Sequence, residues 1–275
     1  SGVVEGPLRD SAAVSVWQAL FAFLRLRYGR RPFDPSVAFG YGGPTSPHCG
    51  EERQTGSHPM RDGARIAAAI EILDTLTRQH QPVKDAVRDW GKAHRFAGSG
   101  DRAWIAGLVL DALRHQASIA HAMGEGSARA LALGTVGRIW GLTADEIDAL
   151  FEGDEHAPEP LSEAERAGLV RDISDAPLHV RADVPEWLEE SLLRAFGDAA
   201  AEEGHALSSR APVDLRVNEL KADFDKAFKE VSSKLKAAEN TPLVRSGIRI
   251  AQRDPRGKAA AAESIPAYGK GWVEV

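Results

Sequence analysis

Cysteine is almost missing from this chain: Cys49 is the one thiol in 275 residues. A single thiol excludes an internal disulfide framework and any zinc site built on several cysteines, and it fits a reducing compartment. Long apolar runs are missing too. A bilayer-spanning helix needs about 20 apolar residues. The nearest stretch, "AAVSVWQALFAFLRLRYGRR", is interrupted at Arg25, and its basic residues follow the apolar run where a secretory signal places them before it. A soluble cytoplasmic protein is the expectation.

The motifs of common enzymes are absent as well. No glycine-rich loop ends in Lys-Ser or Lys-Thr, and no G-x-G-x-x-G follows a strand pattern. "GEGS", Gly124 to Ser127, follows a helical stretch and reads as a turn. His48, Cys49 and His58 lie close in sequence without the further ligands a four-coordinate site needs, and His94, His115, His121, His156, His179 and His205 occur singly. No metal is expected. Glu189 and Glu190 are adjacent and point apart on a helix. Nothing here pairs a nucleophile with a base, so the chain itself is expected to carry no catalytic group.

What is present is charge that is unevenly divided. The formal net charge is −6, made of +1 over residues 1–60, −11 over 61–204 and +4 over 205–275. A polyanion would meet the C-terminal segment first. Residues 29–60 are dense in Gly, Pro and Ser without a sustained period, so the first 60 residues read as an extension belonging to neither later part.

From Met60 the register is helical. In "RIAAAIEILDTL", Ile66, Ala69, Ile70, Leu73 and Leu76 form one stripe; in "PVKDAVRDW", Pro82 is placed as a first helical residue and Val83, Ala86, Val87 and Trp90 line a face. Asp101 is expected to cap "RAWIAGLVLDALR", whose buried side is Trp104, Ile105, Leu108, Val109 and Ala112. Capping boxes open two more helices, Thr143 to Glu146 and Ser162 to Glu165. "APEP", Ala157 to Pro160, reads as a linker, and "VPEWLEESLLRAFG" as one helix stopped by Gly197.

The pattern then changes period. In "APVDLRVNELKAD", Val213, Leu215 and Val217 alternate with Asp214, Arg216 and Asn218, the signature of a half-buried strand. A helix follows with Phe224, Ala227, Phe228, Val231 and Leu235 on one side, then "SGIRIAQ" as a second strand and "GKGWVEV" as the start of another. Strand, helix and strand make an α/β unit, and a chain ending within an apolar strand suggests that more protein lies beyond Val275.

Taken together, "RIAAAIEILDTL" and "DRAWIAGLVLDALR" resemble the opening helices of the NusB-like domain. The helix with Trp187-Leu188 ending in Gly197, followed by Leu215-Arg216-Val217-Asn218, resembles the RsmB-type (Sun-type) ribosomal RNA cytosine-C5 methyltransferases. The resemblance implies a mainly α chain: a NusB-like helical bundle over 61–160, then a helical connector and a small, incomplete α/β region over 161–275. It implies ribosomal RNA as partner, and S-adenosylmethionine as a cofactor held by a catalytic domain outside this chain. In that family one thiolate adds to C6 of the target cytosine and a second assists release; Cys49 lies before the bundle and matches neither.

For RNA contact the candidates are Arg216, Asn218, Lys221, Lys226, Lys229, Arg102 and Arg114. Arg216 suits a phosphate or an intramolecular carboxylate equally, Asn218 suits a turn more than RNA, and the lysines, with Lys234 and Lys236, suit phosphates or a solvated helix face. Arg102 and Arg114 suit RNA or surface salt bridges. Two other readings stay open: a NusB-like RNA-binding or antitermination adaptor without enzymatic activity, and a helical protein-interaction scaffold.

Overall fold

The structure, a computed structural model, describes residues 60–241, 244–251, 262 and 265–275. The extension over 1–59, with Cys49, His48 and His58, lies outside the described residues. The chain is mainly helical, with a small antiparallel sheet at its C-terminal end.

The first helix, α1 (Asp62–Gln79), is centred on Ile66, Ala69, Ile72 and Leu73, all buried, while Ile70 and Leu76 of the expected stripe are half-buried at its margins. It packs on α3 (Ser99–Arg114), where Ile105, Leu108, Val109 and Ala112 are fully enclosed. Asp101 does not occupy the cap position. The helix begins two residues earlier, and from its third position the Asp101 carboxylate reaches back to accept the Gly98 N–H at 2.9 Å. Between them α2 (Val83–Ala93) starts just after Pro82, which sits at the cap. Trp90 closes the layer, its Nε1 donating to Glu71 at 2.9 Å.

Next come α4 (Gln116–Met123) and α5 (Ala128–Gly134), then a π turn over Thr135–Ile139. Thr135 Oγ1 donates to the Leu131 carbonyl at 2.6 Å at the start of that turn. A Cβ on Gly134 would fall 2.4 Å from Ile119 Cγ2, so glycine is what lets α4 and α5 pack so closely. The two capping boxes form as expected and open α6 (Ala144–Phe151) and α7 (Glu163–Val170). One apolar core unites these helices.

A connector follows: α8 (Leu178–Arg181), a 3₁₀ turn (Glu186–Leu188), α9 (Glu189–Phe196), a second 3₁₀ turn and α10 (Ala200–Ser208). The expected single helix from Val184 is therefore a tight turn leading into a shorter helix. Gly197 ends it at φ +54°, a conformation that strains residues with a side chain. Ala182, Val184, Leu188, Leu192 and Ala200 make a small core of their own.

The sheet holds β1 (Val213–Val217), β2 (Ala238–Asn240), β3 (Gly247–Ile250) and β4 (Val273–Glu274) in the order β2-β3-β1-β4, every neighbour antiparallel. Leu215, Val217, Ile248, Ile250 and Val273 point to one side, against Ala227 and Val231 of α11 (Phe224–Lys234). The short β2 was not legible beforehand, because Ala-Glu-Asn has no apolar alternation of its own. A short helix, α12 (Pro266–Gly269), precedes β4. Among the described residues no helix is long and apolar enough to cross a membrane.

Candidate nucleic-acid interface

The solvent face of β1 explains its alternation. Asp214 stands opposite Arg249 on β3, and Arg249 Nε and Nη2 donate to the two Asp214 oxygens at 2.8 and 2.7 Å. That bidentate pair holds the Asp214 carboxyl below its ordinary pKa, through the hydrogen bond and the charge of Arg249. Arg216 stands opposite Glu274 on β4 and pairs with it. The polar face of the strand thus carries two cross-strand ion pairs, and Arg216 has an intramolecular carboxylate partner. Asn218 closes the strand: its Oδ1 accepts the Leu220 N–H at 3.2 Å, and its own N–H donates to the Trp272 carbonyl at 2.8 Å. These hydrogen bonds tie Asn218 into the turn after β1.

The lysines around α11 divide into two groups. Lys226 and Lys270 place their ammonium groups 4.5 and 4.4 Å from the centroid of the Trp272 ring. Lys221 lies beside Gly271, where a Cβ would come within 2.8 Å of its Nζ. Those three cations gather around the turn into β4. Lys229, Lys234 and Lys236 are exposed on and after α11. Trp272 and Lys270 were missed in the sequence, where "GKGWVEV" showed only an incipient strand.

In the bundle, Arg114 and Arg102 part company. Arg114 Nη1 donates to Asp111 at 2.9 Å and belongs to a structural ion pair. Arg102 instead lines a cleft of about 340 Å³ with Arg88, Gly91, Lys92 and Arg95. Arg88, Lys92 and Arg95 were passed over because the acidic total of residues 61–204 masks them, although the spacing of four puts Arg88 and Lys92 on one face of α2 and Arg95 follows in the turn after it.

The histidines are less solitary than their spacing suggested. His115, at the junction of α3 and α4, meets Asp183 and His205, and their donor atoms lie within 4.8 Å of one another. These are the residues that could hold a cation. Asp183, at φ +52°, is already engaged: Oδ1 accepts the Ser118 N–H at 2.8 Å, while Oδ2 accepts Ser118 Oγ at 2.8 Å and faces His115 Nδ1 at 3.1 Å. Ser208 Oγ lies 3.2 Å from the same ring nitrogen. The cluster joins the bundle to α10 through hydrogen bonds.

No curated protein matches this chain. One solved structure, described as "Crystal Structure of PH0851", aligns with 78% of this chain and 53% of its own at 16% identity, with a TM-score of 0.45. This chain spans about half the length of that protein. Residues 184–255 match the family model of the RsmF/B-like methyltransferase ferredoxin-like domain. That span runs from the connector through β1, α11, β2 and β3, and contains both segments, Trp187-Leu188 and Leu215–Asn218, on which the sequence resembled the RsmB-type enzymes. Over residues 184–255 the chain is thus similar to the ferredoxin-like domain of the RsmF/B-like methyltransferases.

Proposed function

We propose that this chain is the RNA-binding portion of an S-adenosylmethionine-dependent methyltransferase that modifies C5 of a cytosine in ribosomal RNA, in the cytoplasm. The observation that carries the reading is the match of residues 184–255 to the RsmF/B-like domain. The helical bundle over residues 61–160 then serves as a NusB-like RNA-binding module, and 161–275 as connector and annexe to the catalytic domain. The placement of Lys226 and Lys270, the latter also paired with Glu230, on the Trp272 ring, with Lys221 beside the neighbouring Gly271, supports it, because cations beside a half-exposed indole suit phosphates and bases together.

The residues described do not fit S-adenosylmethionine. The sheet is antiparallel, and the turn after β1 leads to a helix whose N-terminus is already capped by Asp223, which accepts the Lys226 N–H at 2.8 Å. A cofactor of this class is expected at a glycine-rich turn leaving a parallel strand. On this reading the methyl donor is held by a further domain, and the work of this chain is to hold and orient RNA.

The reading is tested by titrating ribosomal RNA fragments and S-adenosylmethionine separately into the chain. Binding of RNA at low salt without calorimetric binding of the cofactor is expected. Failure to bind RNA at low salt would overturn the reading.

A further inference from the structure

Arg88, Gly91, Lys92, Arg95 and Arg102 line a cleft where α2 and the turn after it meet α3. Two of these cations are answered. Arg88 pairs with Asp85 at 2.7 Å and Asp89 at 3.3 Å, and Lys92 with Asp89 at 3.2 Å. The other two are not: among the described residues neither Arg95 nor Arg102 has an ion-pair partner, and the buried Nε of Arg102 has no hydrogen-bond partner. A buried guanidinium N–H without an acceptor is uncommon in a folded protein and points to a missing one.

Gly91 makes this arrangement possible. A Cβ there would fall 2.8 Å from Arg102 Cδ, so the arginine stem lies against α2 where only glycine leaves room. Next to Arg95 in the chain, Phe96 is 61% exposed. It is propped edge-on against His94 at 5.7 Å, and His94 in turn stacks on Trp90 at 4.3 Å. An exposed aromatic ring fixed by two others is costly to leave in water and is shaped for a planar ligand.

We propose that this cleft binds the phosphodiester backbone of single-stranded RNA through Arg95 and Arg102, with a base stacked on Phe96. The proposal rests on the RNA reading above and gives the bundle its own contact with that RNA. Segment 61–204 nets −11, so a polyanion can approach it favourably only where cations gather and are not already neutralised. The arginine fork matches phosphate oxygens, and stacking on an aromatic ring tolerates any base.

The test uses the full chain and a fluorescein-labelled, unstructured RNA oligomer, with anisotropy read at several KCl concentrations. Replacing both arginines (R95A with R102A) is expected to raise Kd roughly tenfold or more at low salt. It should also make the slope of log K against log salt shallower by about 1.4, at about 0.7 for each lost contact on a single strand. Gly91→Ala should displace Arg102 and weaken binding while all charges remain. Phe96→Ala should weaken binding with little change of slope, since stacking involves no counterion release. Unchanged thermal unfolding of the double variant confirms its fold, and Arg102→Lys provides a check that keeps the charge.

If the wild type binds RNA and the double variant does so with the same affinity and slope, the cleft is not the site, although the RNA reading survives. If the wild type binds no RNA at low salt, the RNA reading itself fails. Saturation of the cleft by inorganic phosphate without competition from RNA would identify a free-anion site, and preference for polyglutamate over RNA would identify an acidic protein partner. Either result overturns the proposal.

Discussion

Arg210 grips Asp111 across the fold: its Nε and Nη2 donate to the two carboxylate oxygens at 2.8 and 2.7 Å. Asp111 is buried on α3 and also accepts from Arg114 and from Trp140 Nε1, both at 2.9 Å. Arg210 stands just before β1, so one carboxylate of the bundle anchors the chain where it enters the sheet.

Arg210→Ala is therefore expected to destabilise the protein by about 2 kcal/mol, the worth of hydrogen bonds to a charged, largely enclosed group. Arg210→Lys should recover little, because an ammonium cannot reproduce the two-pronged contact. Urea unfolding followed by tryptophan fluorescence measures both. A loss below about 0.5 kcal/mol in Arg210→Ala would show that the anchor does not matter.

Acid sensitivity is expected at Glu165. Burial alone would raise its pKa, but hydrogen bonds from Arg129 and Ser162 outweigh burial and hold the carboxyl below the usual 4.5. A carboxyl held low in the folded state contributes stability above its unfolded pKa and loses it as pH falls through the folded value. Arg129→Met should cost about 1 kcal/mol near neutral pH, and the gap to wild type should close as the pH drops below 4.5. Thermal unfolding between pH 7 and pH 3 checks the sign; a gap that widens in acid would contradict it.

Gly204→Ala probes the closest approach in the connector. The added Cβ would fall 2.4 Å from Ala182 Cβ and 2.9 Å from the Ala182 carbonyl oxygen. Backbone cannot yield as a flexible side chain does, so overpacking should cost about 1–3 kcal/mol and shift α10 away from α8. A lowered Tm with faster hydrogen exchange at residues 178–208 is the expected result.

Arg216→Ala should leave stability within about 1 kcal/mol of wild type, because its pair with Glu274 is solvent-exposed on both sides. If the pair is the main role of Arg216, RNA affinity should fall less than in Trp272→Ala, which removes the ring beneath Lys226 and Lys270. Filter binding of the two variants side by side decides this.

The bundle was legible in the sequence because its information is local. Stripes such as Ile105, Leu108, Val109 and Ala112, and the caps at Thr143 and Ser162, depend on spacings of a few residues. The exposed face of β1 was legible as a pattern but not as pairs, since Asp214 and Arg216 find partners on different strands far along the chain. The meeting of His115, Asp183 and His205 was hidden for the same reason. Asp101 misled because an acidic residue near a helix start serves as well from the third position as from the cap.

The most direct test of RNA handling by both parts of the chain is photo-cross-linking of thiouridine-substituted ribosomal RNA, with the attached peptides mapped by mass spectrometry. The account predicts adducts on the peptides containing Phe96 and Trp272, both suppressed by high salt. Adducts confined to the acidic connector between residues 171 and 204, or no adducts under conditions in which RNA is bound, would contradict it.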